Sequence, residues 1–143
     1  MKTLSKKHWS EQIPSSKKFL SRMFTIELNR RLNPELYDVV FEIPLASNEE
    51  GEPDVVVFNK KNGYRSVMAL EICGKNEIQD MVIIARALME KHGLQHFFIY
   101  DKDSVKWYHV VKTPMGYSTN SDPHFLDIAL DQMEFLKTDN LAS

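Results

Sequence analysis

Cysteine is nearly absent: the 143-residue chain has one, Cys73. A single thiol excludes an internal disulfide and the multi-cysteine patterns of structural zinc sites. Long apolar runs are missing as well. Nothing approaches the ~20 consecutive apolar residues that cross a bilayer. Lys2, Lys6 and Lys7 near the start have no apolar run behind them, which argues against a secretory leader. The expected location is therefore the cytoplasm, with no membrane partner. Repeats and low-complexity segments are also missing, so one packed domain is expected. Nor is there a large excess of one charge. The net of −2 argues against a generic nucleic-acid binder.

What is present is unevenly spread. Residues 1–31 hold eight Lys/Arg against Glu11 and Glu27, a net of +6, so the remainder carries −8. The basic end reads first as a solvated tail and helix face, and second as a surface for phosphates. Residues 1–14 form a basic lead-in ending at Pro14, residues 15–137 a single domain, and 138–143 a tail.

Ser15 and Ser16 offer an N-cap for a helix running to about Leu32, where Asn33-Pro34 stops it. Its apolar residues include Leu20, Met23, Phe24 and Leu28, and at 100° per residue Glu27 falls near the middle of their arc. A carboxylate there is costly without a partner, so Glu27 is a candidate site residue. Alternation predicts a strand over Tyr37 to Leu45, followed by a polar turn. Residues 53–58 and 66–73 read as two apolar strands joined by a hairpin loop. A second helix is expected from Lys75-Asn76 to about Lys91, ended by His92-Gly93. Its apolar residues cover more than one face, which implies a neighbour beyond the sheet or a second copy. Leu94–Tyr100 and Val105–Val111 predict a strand pair turned at Asp101–Ser104, Thr113–Pro123 a loop, Phe125–Leu130 a short strand and Asp131–Lys137 a short helix. Phe97, Phe98, Tyr100, Trp107 and Tyr108 read as core aromatics rather than a base-stacking platform. The order αβββαββ is an α/β domain with a mixed central sheet.

Two acids stand out because apolar strands surround them. Asp54 opens Asp-Val-Val-Val-Phe, and Glu71 lies near the end of Val-Met-Ala-Leu-Glu-Ile-Cys. A buried acid needs a cation, a donor or a metal. If the two strands pair, both acids approach one end of the sheet. There they can share Mg²⁺, a hard cation that prefers carboxylate oxygens, with Mn²⁺ as a substitute.

Pro53-Asp54, a gap of sixteen residues, and then Glu71-Ile72-Cys73 resembles the PD-(D/E)XK signature of the restriction-endonuclease-like superfamily. More narrowly, Pro-Asp-Val-Val-Val (53–57), Ala-Leu-Glu-Ile (69–72) and Lys-His-Gly-Leu-Gln-His-Phe-Phe-Ile-Tyr-Asp (91–101) are similar to the Uma family of small bacterial proteins described as restriction endonucleases. The likeness spans about residues 19–136. It implies a mixed sheet flanked by helices and Mg²⁺-dependent cleavage of DNA. Asp54 and Glu71 would be the metal ligands, and Glu27 would match the acid that the flanking helix often adds. It also implies a lysine at position 73, where this chain has Cys73. Lys75, two residues on, is the expected substitute; Arg86 is a poor proton acceptor because guanidinium stays charged. A catalytic thiol at Cys73 is disfavoured, since no histidine stands beside it and a strand-end cysteine is usually a small buried apolar residue. Two readings follow: a nuclease with an atypical site, or an inactive descendant serving in binding or assembly. A hydrolase of some other phosphoester ranks third.

Overall fold

The computed structural model describes residues 16–41, 53–61 and 63–137. The lead-in, Ser15, residues 42–52, Asn62 of the expected hairpin loop and the tail lie outside the described residues.

The first helix, α1 (Lys17–Arg31), starts where the polar run gives way to apolar spacing. Ser16 caps it, its hydroxyl accepting from Phe19 N at 3.0 Å. Leu20, Ser21, Phe24, Thr25 and Leu28 form its buried stripe. The two hydroxyls in that stripe bond back along the helix, Ser21 to Lys17 O at 2.7 Å and Thr25 to Ser21 O at 2.8 Å, which satisfies them without an outside partner.

Six strands then make one sheet in sequence order: β1 (Tyr37–Phe41), β2 (Val55–Asn59), β3 (Arg65–Cys73), β4 (His96–Asp101), β5 (Lys106–Thr113) and β6 (Gly116–Asn120). All neighbours are antiparallel except β3 and β4. That one parallel pair needs a crossover. It is supplied by a 3₁₀ turn at Lys75–Glu77 and helix α2 (Ile78–His92). Gly93 ends α2 at φ 69°, in the left-handed region that favours glycine.

Alternation sorts the sheet residues into two layers. Met68, Leu70, Ile72, Phe98 and Tyr100 join α1 and the C-terminal segment, which contributes Phe125, Ile128, Leu130, Met133 and Phe135. Ala69, Cys73, Phe97, Ile99 and Val110 pack against Met81, Ala85, Leu88 and Met89 of α2. Ile78, Val82 and Ile84 of α2 also pack against this layer, while Ile83 is 67% exposed.

Three expectations need correction. Residues 116–120 are not loop but the edge strand β6; its Ser118, Thr119 and Asn120 are exposed, because an edge strand needs backbone pairing and not a buried row. Val105 lies in the β4–β5 turn at φ 55° rather than in β5. The expected strand over 125–130 is a small two-stranded hairpin, β7 (His124–Phe125) with β8 (Ile128–Ala129). No helix among the described residues is long and apolar enough to cross a membrane.

Candidate active site

The β2–β3 ladder runs from Asn59↔Arg65 to Val55↔Leu70 and stops there. Glu71, Ile72 and Cys73 of β3 continue past the end of β2. Asp54 fills the gap. Its N–H donates to Leu70 O at 3.0 Å. Its carboxylate Oδ2 accepts from Ile72 N at 2.7 Å, taking the place of a strand carbonyl. The side chain is thereby fixed beside Glu71, and the two carboxyl groups act directly on each other.

The cation at this site comes from neither β3 nor the loop after it. Lys17, the first residue of α1, places its Nζ 2.9 Å from Glu71 Oε2 and 3.7 Å from Asp54 Oδ1. It stands one, two and three turns before Ser21, Phe24 and Leu28 on the same helical stripe. The packing that buries that stripe therefore carries Lys17 to the acids. Its side chain is half exposed, whereas those of Asp54 and Glu71 are 12% and 4% exposed.

Burial, more than any neighbour, raises the Asp54 carboxyl to about 6, against the pull of Ile72 N–H and Lys17. Burial and then the Asp54 charge raise Glu71 to about 8, and Lys17 offsets only part of this. Burial also works against the Lys17 ammonium, but Glu71 and Asp54 outweigh it and its pKa is raised. At neutral pH the acid pair therefore retains a proton between its two members. Glu71 Oε1 is buried and accepts no hydrogen bond from the described residues. A buried carboxylate oxygen without a donor is where a proton or a cation belongs. Among the described residues no group of three or more Asp, Glu, His or Cys side chains converges to hold a metal. Two carboxylates with the remaining positions left to water is a donor set that suits Mg²⁺, which holds on to its water and often takes only one or two carboxylates.

The other sequence candidates lie elsewhere. Glu27 is ten residues along α1 from Lys17, about 15 Å of helix rise. It pairs with Arg30 at 2.8 Å and Arg31 at 3.6 Å on its own helix. Its position in the apolar arc is thus satisfied locally. Lys75 N–H donates to Asp103 Oδ2 at 3.1 Å, and Lys75 lines a separate cleft with Lys106 and Tyr108. The lysine in contact with the two acids is Lys17. Cys73 is buried, and burial, then Glu77 and Glu71, push its thiol up to about 12. It is a neutral packing group. Lys17 was visible in the sequence in one respect. The first turn of α1 holds basic residues and no acid, the reverse of what the helix dipole favours. A lysine placed there on the buried stripe signals an acidic partner outside the helix.

No family model matches the chain, and no curated protein matches it. Among solved structures, it is similar to a crystal structure from Anabaena variabilis described as "a putative nuclease belonging to DUF820", with a TM-score of 0.58 over 86% of this chain and 79% of that one. Sequence identity is 15%, so the likeness is one of fold: a mixed, mostly antiparallel sheet flanked by helices, shared with that nuclease-like protein.

Proposed function

We propose that the chain is a cytoplasmic, Mg²⁺-dependent nuclease that hydrolyses phosphodiester bonds in DNA. The observation that carries this reading is the meeting of Asp54, Glu71 and Lys17 at the open end of the β2–β3 ladder, with Lys17 Nζ 2.9 Å and 3.7 Å from the two acids. Similarity of fold to a protein described as a nuclease supports it. Asp54 and Glu71 are the residues to hold the cation, and buried Glu71 Oε1 has no other partner among the described residues. A divalent cation there would supply positive charge to a phosphodiester and make water more acidic.

The chain's own groups do the rest. Ile72 N–H holds the Asp54 carboxylate in one orientation, so binding a cation there costs little rearrangement. Lys17 replaces the lysine that the signature places at position 73. An ammonium has three N–H donors. One can stay on Glu71 while another meets a phosphate oxygen, because the side chain is half exposed. Charge building on the phosphate would meet an ammonium already in position.

The competing reading is a nuclease fold kept for binding or assembly. It is favoured by Cys73, whose thiol is held neutral where the signature has a charged side chain. Isothermal titration with Mg²⁺ and Mn²⁺ on wild type and Asp54→Ala separates the two. The nuclease reading expects binding heat in wild type and none in the variant; negligible heat in both overturns it. Plasmid cleavage should then be lost in both Glu71→Ala and Lys17→Met. Cleavage that survives in Glu71→Ala would come from a contaminant.

A further inference from the structure

The α2-side face of the sheet carries the acids and a second feature on the same rungs. Glu71 pairs with Ile99, and Ile99 pairs with Tyr108. One step on, Cys73 pairs with Asp101 and Asp101 with Lys106. Two strand spacings separate Glu71 from Tyr108, on the order of 10 Å. Helix α2 covers the middle of this face through Met81, Ala85, Leu88 and Met89. Its first turn instead borders a cleft of about 660 Å³ at the C-terminal ends of β3 and β4.

The lining of this cleft has a recognisable chemistry. Lys75 and Lys106 are exposed cations, Tyr108 is a half-buried aromatic, and Asn76, Gln79 and Ser104 supply neutral donors and acceptors. The walls are set by short-range constraints. Asp101 is 2% exposed, and its Oδ1 accepts from Asp103 N at 3.0 Å and Ser104 N at 3.1 Å. That holds Val105 at φ 55°, a conformation costly for a β-branched residue, and it fixes the turn presenting Ser104 and Lys106. On the opposite wall, a Cβ on Gly74 would lie 2.6 Å from Asp103 Oδ2, so the 3₁₀ turn and the β4–β5 turn approach backbone to side chain.

We infer that this cleft is a subsite for one unpaired nucleotide flanking the scissile phosphate, so that the substrate class is single-stranded DNA or a duplex with an unpaired end. The inference rests on the nuclease reading. Lys75 and Lys106 take the backbone phosphate, the Tyr108 ring supports the base, and Asn76 and Gln79 read its edge, as amide side chains do. Asp80, on the rim, suits an exocyclic amine. The mixed lining, two cations beside two acids (Asp80 and the buried Asp101) and two amides, matches a nucleotide better than a bare phosphate. A paired base would keep its Watson–Crick edge hidden, and a cleft of this volume has room for a whole flipped or frayed nucleotide.

The test is fluorescence anisotropy with a fluorescein-labelled single-stranded oligodeoxynucleotide and the same strand in a blunt duplex, with Ca²⁺ replacing Mg²⁺. Wild type is expected to bind the single strand at least ~10-fold more tightly. Lys75→Ala/Lys106→Ala should flatten the slope of log K against log salt by about 1.4, the value for two phosphate contacts on a single strand. Tyr108→Leu, which keeps an apolar side chain against α2, should weaken binding at least ~5-fold. Equal affinity for both DNAs, or variants that bind like wild type, overturns the inference. Mg²⁺-dependent cleavage is scored separately, on the same labelled single strand, because a closed plasmid offers no unpaired end. Cleft-dependent binding without cleavage removes the nuclease reading and leaves the nucleotide subsite, whereas cleavage insensitive to the cleft variants does the reverse.

Discussion

At the scale of single residues, the acid pair behaves unlike ordinary surface carboxylates. Asp54 is raised to about 6 and Glu71 to about 8, chiefly by burial. A carboxyl whose pKa is higher in the folded protein than in the unfolded chain binds more protons when folded. Its contribution is therefore favourable while it is protonated, and it is lost as pH rises from the ordinary carboxylate range through about 8. Lys17, also raised, has the same sign in a higher window: its stabilisation is present below its ordinary 10.5 and is lost as pH rises beyond it. Metal-free wild type should thus lose stability between pH 5 and pH 9, and Glu71→Gln should flatten that slope by an amount on the order of 1 kcal/mol per pH unit. Urea unfolding at the two pH values measures this; parallel slopes would contradict the assignment. The same protons oppose the cation, so Mg²⁺ affinity should rise with pH between about 6 and about 8, by up to about tenfold per unit where one proton is displaced.

Lys17→Met separates a structural from a chemical role at the same scale. It leaves Glu71 and Asp54 facing each other without their ammonium. Because the Lys17 side chain is half exposed, the loss should be near 1–2 kcal/mol rather than the larger cost of breaking a fully buried pair. The loss should be greater at pH 9, where both acids are charged, than at pH 5. Lys17→Arg should recover most of the stability but little of the cleavage, since a planar guanidinium does not reproduce an ammonium at one point. Thermal melts and plasmid cleavage on the same preparations read the two effects.

At the scale of elements, the helices and the buried strands were legible because their signals are local. Ser16 before the apolar spacing and Asn33-Pro34 after it bound α1. His92-Gly93 ends α2 at a glycine of positive φ. The hairpin of β2 and β3 followed from two apolar runs and a polar loop, and with it the approach of Asp54 to Glu71. The identity of the cation was not legible in the same way. Sequence distance favoured Lys75, which is four residues from Glu71, over Lys17, which is 54 residues away and reaches Glu71 only through packing of α1 on the sheet. Strand β6 escaped for a different reason, since its Gly-Tyr-Ser-Thr-Asn run ends in three exposed polar residues and has no buried row to give it a period. The two helix ends give a direct comparison. Gly93→Ala forces a Cβ into φ 69° without a steric clash, its nearest neighbour being Arg65 Nη2 at 3.6 Å, so it should cost about 1 kcal/mol from backbone strain alone. Ser16→Ala should cost a similar ~1 kcal/mol, but it also loosens the turn that positions Lys17. Only Ser16→Ala should weaken Mg²⁺-dependent cleavage, as measured beside chemical denaturation of both variants.

At the scale of the whole molecule, the two sides of the sheet have different tasks. The α2 side holds the rungs that carry Glu71 and Tyr108. The α1 side has to keep Lys17 at the end of a helix pressed against the sheet. That pressure comes from the far end of the chain. Phe24 of α1 meets Tyr100, Trp107 and Phe135 edge-on, with ring centroids 6.2, 5.7 and 4.8 Å away. Phe125, Ile128, Leu130, Met133 and Leu136 complete the same cluster. Removing residues 123–143 would expose that surface of α1 and of β4 and β5, at a cost of about 1.5–3 kcal/mol for each large buried side chain. A domain with ~5–15 kcal/mol of total stability does not survive that loss, so the truncated chain should lack a cooperative thermal transition. Phe135→Ala is the milder form of the same change. It should cost about 3 kcal/mol and leave a folded protein in which α1 packs loosely and Lys17 no longer sits on its acids. Cleavage should then fall by more than the unfolded fraction accounts for, a comparison that calorimetry and rates at one temperature can make. Activity that tracks the folded fraction alone would show that the C-terminal segment supports the fold without positioning the lysine.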